Sequence, residues 1–125
     1  MNNHILRRVG LGTVLSMLIA VASVAADYPA AHIASPDRYQ VLLENDDVLV
    51  LKMVLKPGEA DVMHRHNNET VYFQRGGKLT IVDANGESIV AEVPDGHVMW
   101  HPAWNHQVTN SGNSEVVAII VEDKS

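Results

Sequence analysis

Residues 57–76, PGEADVMHRHNNETVYFQRG, place His64 and His66 one residue apart shortly after a Pro-Gly turn. In an extended strand, side chains at positions i and i+2 point to the same face, so both imidazoles would be directed at one point. Imidazole is the commonest protein ligand for first-row transition metals. The pair therefore predicts a metal site, with Glu69 and His106 as the natural further ligands. The alternative is an exposed strand that carries two polar residues by chance.

The rest of the chain after residue 38 is typical of short β-strands. Runs rich in β-branched, aromatic and other apolar residues occupy 48–55, 70–73, 79–82, 89–93 and 116–121, and turn signals containing glycine separate them. Asn85-Gly86 lies between two alternating runs and predicts a hairpin over 83–87. Residues 29–37 contain two prolines, which favour an extended arm or a short turn over a helix. Regular short strands of this kind predict a single all-β sandwich or barrel.

The first 26 residues are predicted to be a signal peptide. Arg7 and Arg8 precede an almost uncharged stretch over 9–24, and Ala25-Ala26 offers small residues for cleavage. The alternative is an uncleaved N-terminal anchor, although the stretch is shorter than the roughly 20 residues of a membrane span. We therefore expect a periplasmic or secreted protein with a signal peptide at 1–26, an N-terminal arm at 27–38 and a barrel domain at 39–125.

The composition excludes several kinds of partner and site. Cleavage would leave 99 of 125 residues, with seven Lys and Arg against fifteen Asp and Glu, a formal net charge of −8. An acidic domain is repelled by nucleic acid and by anionic membranes, so we expect neither as a partner of the mature protein. The chain has no cysteine, so it contains no disulfide, no lipid-attachment site and no thiolate ligand for a closed structural zinc site.

Two groups of residues resemble the two motifs of the cupin superfamily. Gly58, His64, His66, Glu69 and Gly76 resemble the first motif. The second is matched by a set that begins about twenty residues later: Gly96, Pro102, His106 and Asn110. The resemblance runs from residue 39 to residue 122 and is closest to small single-domain cupins of loosely assigned function.

The resemblance implies a single-domain jelly-roll β-barrel that holds one divalent metal. Its ligands would be His64, His66, His106 and Glu69, whereas Asn110 would form hydrogen bonds within the fold. The sequence departs from the motifs at three points, one of which is a Pro102–His106 interval one residue shorter than usual. Only two residues separate His66 from Glu69, which leaves open whether Glu69 faces inward. Trp104 stands where glycine is usual, and we expect it to line the cavity.

Other polar residues compete for roles near the metal. His97, Met99 and His101 are predicted to lie on one face of a strand. If that face points inward, His101 lies close to the metal. We favour the alternative, in which both histidines lie at the surface near the mouth of the barrel. His32, in the N-terminal arm, is expected to be solvated. Glu69, His101 and Tyr72 are the candidates for acid–base catalysis.

The predicted three-histidine site is compatible with several functions. With a carboxylate ligand it suits Fe, Mn or Ni, and without one Zn or Cu becomes competitive. The first hypothesis is a metal-dependent enzyme of dioxygenase, isomerase or lyase type that acts on a small oxygenated molecule. The second is a non-catalytic barrel that binds a small ligand or a metal. A third, a barrel without metal, would require exposed histidines. The resemblance also implies a homodimer.

Overall fold

The structure is a computed structural model that describes residues 27–125 and, before them, only positions 12 and 16. The predicted signal peptide, 1–26, lies outside the described residues apart from those two positions. Within the part of the chain that is described, no helix has the length and apolar character that a membrane crossing requires.

Residues 27–125 form one short helix and nine strands that pair into two antiparallel sheets. The larger sheet has the order β1-β2-β9-β4-β7 and the smaller has the order β3-β8-β5-β6. The elements are α1 (Ala31–Ala34), β1 (Tyr39–Glu44), β2 (Val48–Leu55), β3 (His64–His66), β4 (Glu69–Arg75), β5 (Gly77–Asp83), β6 (Ser88–Val93), β7 (Val98–His101), β8 (Trp104–Asn110) and β9 (Val116–Asp123). The predicted all-β jelly-roll fold is confirmed.

The predicted strands are present, and one local prediction was wrong. All five predicted runs lie in strands, and β2 has the predicted bounds. Between the prolines of 29–37 the chain forms one turn of α-helix, α1, whereas an extended arm or a short turn without helix was predicted. Pro29 and Pro36 both lie outside this turn, so neither ring obstructs its hydrogen bonds. Ala31 at its start is completely buried.

The N-terminal arm continues the smaller sheet beyond its edge strand. The backbone N–H of Arg65 donates to the carbonyl of Pro29, at 2.9 Å, and Ala30 forms a parallel bridge with Arg65. The Ser35 hydroxyl accepts a hydrogen bond from the backbone N–H of Val62, at 2.8 Å. The arm therefore holds β3, which is only three residues long, on the side away from β8.

The apolar core lies between the two sheets and follows the period of two that strands impose. Every second residue of β2 is buried, and the intervening residues are half-buried on the outer face. The same alternation gives the inward residues of β4 and β9. The core consists mainly of Leu49, Leu51, Met53, Leu55, Val71, Phe73, Leu79, Val108, Val116, Ala118 and Ile120.

The turns have the residues that their conformations require. The predicted hairpin joins β5 to β6, and its Gly86 has φ +83°, in the region that glycine adopts readily. Gly76 is required for a different reason, because a Cβ atom there would overlap the carbonyl oxygen of Val93.

Asn110 forms hydrogen bonds within the fold, in agreement with the prediction. It is completely buried, and its Nδ2 donates to the carbonyls of Leu55 and Ser114, both at 2.8 Å. Its Oδ1 accepts from the backbone N–H of Gly112 at 3.0 Å. One side chain therefore joins the end of β2 to the turn between β8 and β9.

Replacing the buried Asn110 should destabilise the fold, whereas replacing an exposed residue of the same turn should not. Asn110→Ala removes the partners of three backbone groups, and we expect it to lower the free energy of unfolding by about 2–4 kcal/mol. Asn113→Ala, at an exposed position of the same turn, is the matched control and should change it by less than about 0.5 kcal/mol. Urea denaturation of both variants measures the difference, and equal effects would contradict the assigned role.

Candidate metal centre

Strand register brings three histidines together inside the barrel. β3 pairs with β8 so that His64 lies directly opposite His106. His66 is two residues after His64 and shares its face, and all three side chains are buried. One ring nitrogen of each lies within 4.8 Å of the others. Among the described residues, this is the group whose geometry could hold a metal ion.

Hydrogen bonds fix the orientation of two of these rings. Nδ1 of His64 is 2.8 Å from the carbonyl of Val62, which can only accept, so Nδ1 carries the proton. Nδ1 of His66 is 3.1 Å from a carboxylate oxygen of Glu122 and donates to it. In both rings the lone pair is therefore on Nε2.

The two Nε2 atoms face each other at 2.8 Å. Two lone pairs at that distance repel unless a cation or a proton lies near both. Both nitrogens of His106 are buried and have no hydrogen-bond partner among the described residues. The three imidazoles thus present unsatisfied nitrogen atoms to one small space, as a set of metal ligands would.

Burial keeps His64 and His106 neutral, which is the form of imidazole that binds a metal. Burial, together with the neighbouring His66, lowers the pKa of His64 to about 4. Burial also lowers the pKa of His106 to about 2, with added effects from His66, His64 and His101.

Two carboxylates from the larger sheet face the histidines of the smaller one. Glu69 on β4 lies opposite Glu122 on β9, and both are buried. Glu122 accepts from Nδ1 of His66 and, at 2.7 Å, from the backbone N–H of Asn67. Burial would raise the pKa of Glu122, but its hydrogen bonds from His66 and Asn67 outweigh burial and hold the pKa below its ordinary value.

Glu69 faces inward despite the short interval after His66. Its Oε1 accepts from the indole N–H of Trp104 at 2.8 Å, whereas its Oε2 is buried and has no hydrogen-bond partner. Burial raises its pKa, although His66 and Trp104 oppose that effect. Oε2 is 3.4 Å from Nδ1 of His66, on the side of the ring away from Nε2. Glu69 is not one of the three converging residues, and its role as a ligand stays a prediction.

A buried pair that the sequence reasoning missed lies behind His64. The Tyr39 hydroxyl donates to Oδ2 of Asp61 at 2.6 Å, and the N–H of Val108 donates to Oδ1 at 2.7 Å. Burial raises the pKa of Asp61 to about 6, although its hydrogen bond from Tyr39 lowers it. Oδ2 is also 3.6 Å from Nδ1 of His64, so Asp61 adds a second acceptor beside that ring.

The remaining candidate residues differ in how exposed they are and in which face of the sheet they occupy. Tyr72 is on the outer face of β4 and 44% exposed, because it lies three positions after the inward Glu69 on a strand whose side chains alternate between faces. It cannot reach the histidines from that side, so the structure corrects its place among the catalytic candidates. His97 is exposed, as expected, and His32 is half-buried instead of solvated. His101 is half-buried and stacks on Trp104, with ring centroids 3.7 Å apart.

A small apolar cavity of about 50 Å³ adjoins the histidines. His66, His106 and Glu69 line one side of it, and core residues line the rest. Trp104 also lines it, and its ring lies 4.0 Å from that of His106, measured between centroids. This volume holds only a few water molecules.

Known structures share this architecture. No family model and no curated protein sequence matches the chain. A cupin domain from Bordetella pertussis Tohama I is 24% identical, with a TM-score of 0.65 over 81% of this chain and 100% of that one. A protein with a double-stranded β-helix domain from Klebsiella pneumoniae is 19% identical, with a TM-score of 0.56 over 82% and 90%.

An enzyme is also among the similar structures. The polyketide cyclase RemF from Streptomyces resistomycificus is 15% identical, with a TM-score of 0.54 over 83% of this chain and 80% of that one. At these identities the likeness shows the fold, which is that of the cupin superfamily, and it does not extend to an activity.

Acid should destabilise the metal-free protein through His64 and His106. Their pKa values are lowered to about 4 and about 2, so from about pH 6.5 down to pH 4 the unfolded chain binds two protons that the folded chain does not. Each such proton lowers the free energy of unfolding by about 1.4 kcal/mol per pH unit. Asp61 opposes this loss of stability below pH 6, because its pKa in the folded chain is raised to about 6. At such pH values the folded chain holds a proton on Asp61 that the unfolded chain has lost.

Urea denaturation of the metal-free protein at pH 7 and pH 5 tests this balance. The free energy of unfolding should fall on acidification, and His106→Leu should reduce that fall by about 2 kcal/mol because one of the two protons no longer contributes. His97→Leu, at an exposed histidine, should behave as the parent does. A fall of the same size in His106→Leu would contradict the assignment.

Proposed function

We propose that this chain, which has the cupin fold, is an exported metal-dependent enzyme that acts on a small oxygenated molecule. Its metal ligands would be His64, His66 and His106. The observation that carries the proposal is the 2.8 Å approach of two Nε2 atoms whose Nδ1 atoms are both committed as donors. A divalent cation held by His64, His66 and His106 would make this repulsive arrangement an attractive one.

The residues present fit a divalent transition metal. Three neutral imidazoles without thiolate are suitable ligands for Fe, Mn, Ni, Zn or Cu. Val62 and Glu122 hold the outer nitrogens of His64 and His66, which fixes the orientation of each ring and makes it a better donor. When bound, the metal would supply Lewis-acid polarisation of a substrate oxygen or, if it is iron, redox chemistry with dioxygen.

Glu69 is the residue best placed to move a proton beside such a site. Its Oε2 is buried and unpartnered, and burial raises its pKa towards the range useful to a general base. The indole N–H of Trp104 holds Oε1, which orients the carboxylate towards the cavity. Apolar residues that line the rest of the cavity exclude bulk water from the proton transfer.

The alternative function is a non-catalytic barrel that binds a metal or a small ligand. The small volume of the cavity favours it, because an organic substrate does not fit beside the histidines as they stand. The inward position of Glu69 favours catalysis, since a binding site has no need of an unpartnered buried carboxylate. A barrel without metal required exposed histidines, and all three are buried.

Export and pairing belong to the same proposal. The sequence of residues 1–26 supports export through a cleaved signal peptide. A homodimer is supported by the outer face of the larger sheet, where Tyr72, Val98, Trp100 and Val121 are between 39% and 62% exposed. Apolar side chains clustered on one sheet face are typical of surfaces that another protein covers.

The proposal predicts one metal ion per chain in protein purified from the periplasm without chelators. Elemental analysis should give near-stoichiometric metal in the parent protein and in His97→Ala, which changes an exposed histidine. The double variant His64→Ala/His66→Ala should contain none. Mass spectrometry of the same samples reads the mature N-terminus, expected at Asp27.

Two outcomes would contradict the proposal. The absence of metal from the parent, both as purified and after incubation with each candidate ion, would exclude the metalloenzyme and leave the binding barrel. Equal metal content in the parent and the double variant would place the ion elsewhere.

Substitutions of the two glutamates should separate their roles. Glu122→Gln keeps the shape of the side chain but removes the charge that accepts from His66, and we expect it to weaken metal binding about 10–100-fold. Glu69→Gln should change the affinity much less, because Glu69 lies on the Nδ1 side of His66. Competition with a chromophoric chelator measures both affinities. A larger loss in Glu69→Gln would make Glu69 a ligand.

A further inference from the structure

Two cavities lie on either side of Trp104. The inner one, of about 50 Å³, adjoins the histidines, and an outer cleft of about 410 Å³ opens between the hairpin that joins β5 to β6 and the start of β8. Trp104 and Ile81 line both. The residues of the inner cavity are buried except for Ile81, Met99 and Trp104, which are half-buried and therefore mark its mouth.

The indole of Trp104 is held in this mouth from three sides. Its N–H donates to Glu69 at 2.8 Å. One face stacks on His101, with ring centroids 3.7 Å apart and an angle of 22° between the planes. The ring also meets His106 at 70°, with centroids 4.0 Å apart. His101 lines only the outer cleft, so the indole lies between a residue of the cleft and one of the three converging histidines.

We propose that Trp104 is the residue that determines which molecules reach the histidines, and that the outer cleft is their route of entry. Molecules of a few non-hydrogen atoms fit the inner cavity as it stands. Larger ones enter from the cleft only when the indole leaves its contacts with Glu69 and His101. This inference rests on the proposed function for its biological meaning, but the barrier itself is a property of the metal-free protein.

Chemical modification of the metal-free protein tests the barrier directly. Diethyl pyrocarbonate is an uncharged reagent, much larger than water, that acylates neutral imidazole nitrogen, and peptide mapping by mass spectrometry gives the rate at each histidine. In the parent protein His97, which is exposed, should react quickly, and His106 should react slowly. Trp104→Ala should raise the rate at His106 about 10–100-fold, because one hydrogen bond and one aromatic stack hold the barrier closed.

The chain offers matched controls for this experiment. Trp100→Ala removes the other tryptophan, which is 62% exposed on the outer face of β7, and should leave the rate at His106 unchanged. His101→Ala removes the stack alone and should raise that rate by a smaller factor than Trp104→Ala. Trp104→Phe keeps an aromatic ring but loses the hydrogen bond to Glu69, so its rate should fall between those of the parent and Trp104→Ala.

The rate at His64 shows whether the fold has loosened. His64 is completely buried and is not among the residues that line the inner cavity, so an open mouth should expose His106 far more than His64. If His64 and His106 react equally fast in Trp104→Ala, the fold of that variant has loosened and the test passes to Trp104→Phe. A rate at His106 in Trp104→Phe that equals the rate in the parent overturns the proposal. A parent in which His106 already reacts as fast as His97 overturns it as well. Failure of metal uptake would remove the proposed enzyme but would leave these rates as they are.

Discussion

Strand β3 is three residues long, and its register against β8 decides where every nitrogen of the site lies. His64 is opposite His106, and His66 is opposite Trp104. Because side chains alternate between faces, a slip of one residue would turn both histidines of β3 outward and bring Arg65 into the barrel. Two hydrogen bonds to the N-terminal arm oppose such a slip, one from the N–H of Arg65 to the Pro29 carbonyl and one from the N–H of Val62 to the Ser35 hydroxyl. The arm is thus part of what positions the site.

The two sheets contribute different chemistry to the same end of the barrel. The smaller sheet supplies the three imidazoles, and the larger sheet supplies Glu69 and Glu122. Buried charges are costly unless they are paired or hydrogen-bonded, and Glu122 meets that condition through His66 and Asn67. Glu69 meets it only in part, since one of its oxygens has no partner. A fold retains such a group at a cost in stability, which is typical of a residue with a functional role.

The alternation of side chains along a β-strand explains which parts of the structure the sequence predicts and which it does not. It predicts β2, the hairpin after β5 and the common face of His64 and His66, because each depends only on neighbours along the chain. It also places Glu122 on the same face of β9 as Val116, Ala118 and Ile120, a signal that was present in the sequence and was not used. The pairing of Asp61 with Tyr39 carries no comparable signal, since the two residues are 22 positions apart in the sequence and only the folded barrel brings them together.

The indole of Trp104 limits the size of the inner cavity and also orients Glu69. Trp104 shares the inward face of β8 with His106 and Val108. A glycine there would leave the histidines open to the outer cleft, whereas the indole fills that space and gives Glu69 its hydrogen bond. Removing the ring would therefore enlarge the cavity and also free the carboxylate. Access to the histidines and the orientation of the nearest proton acceptor consequently depend on one side chain.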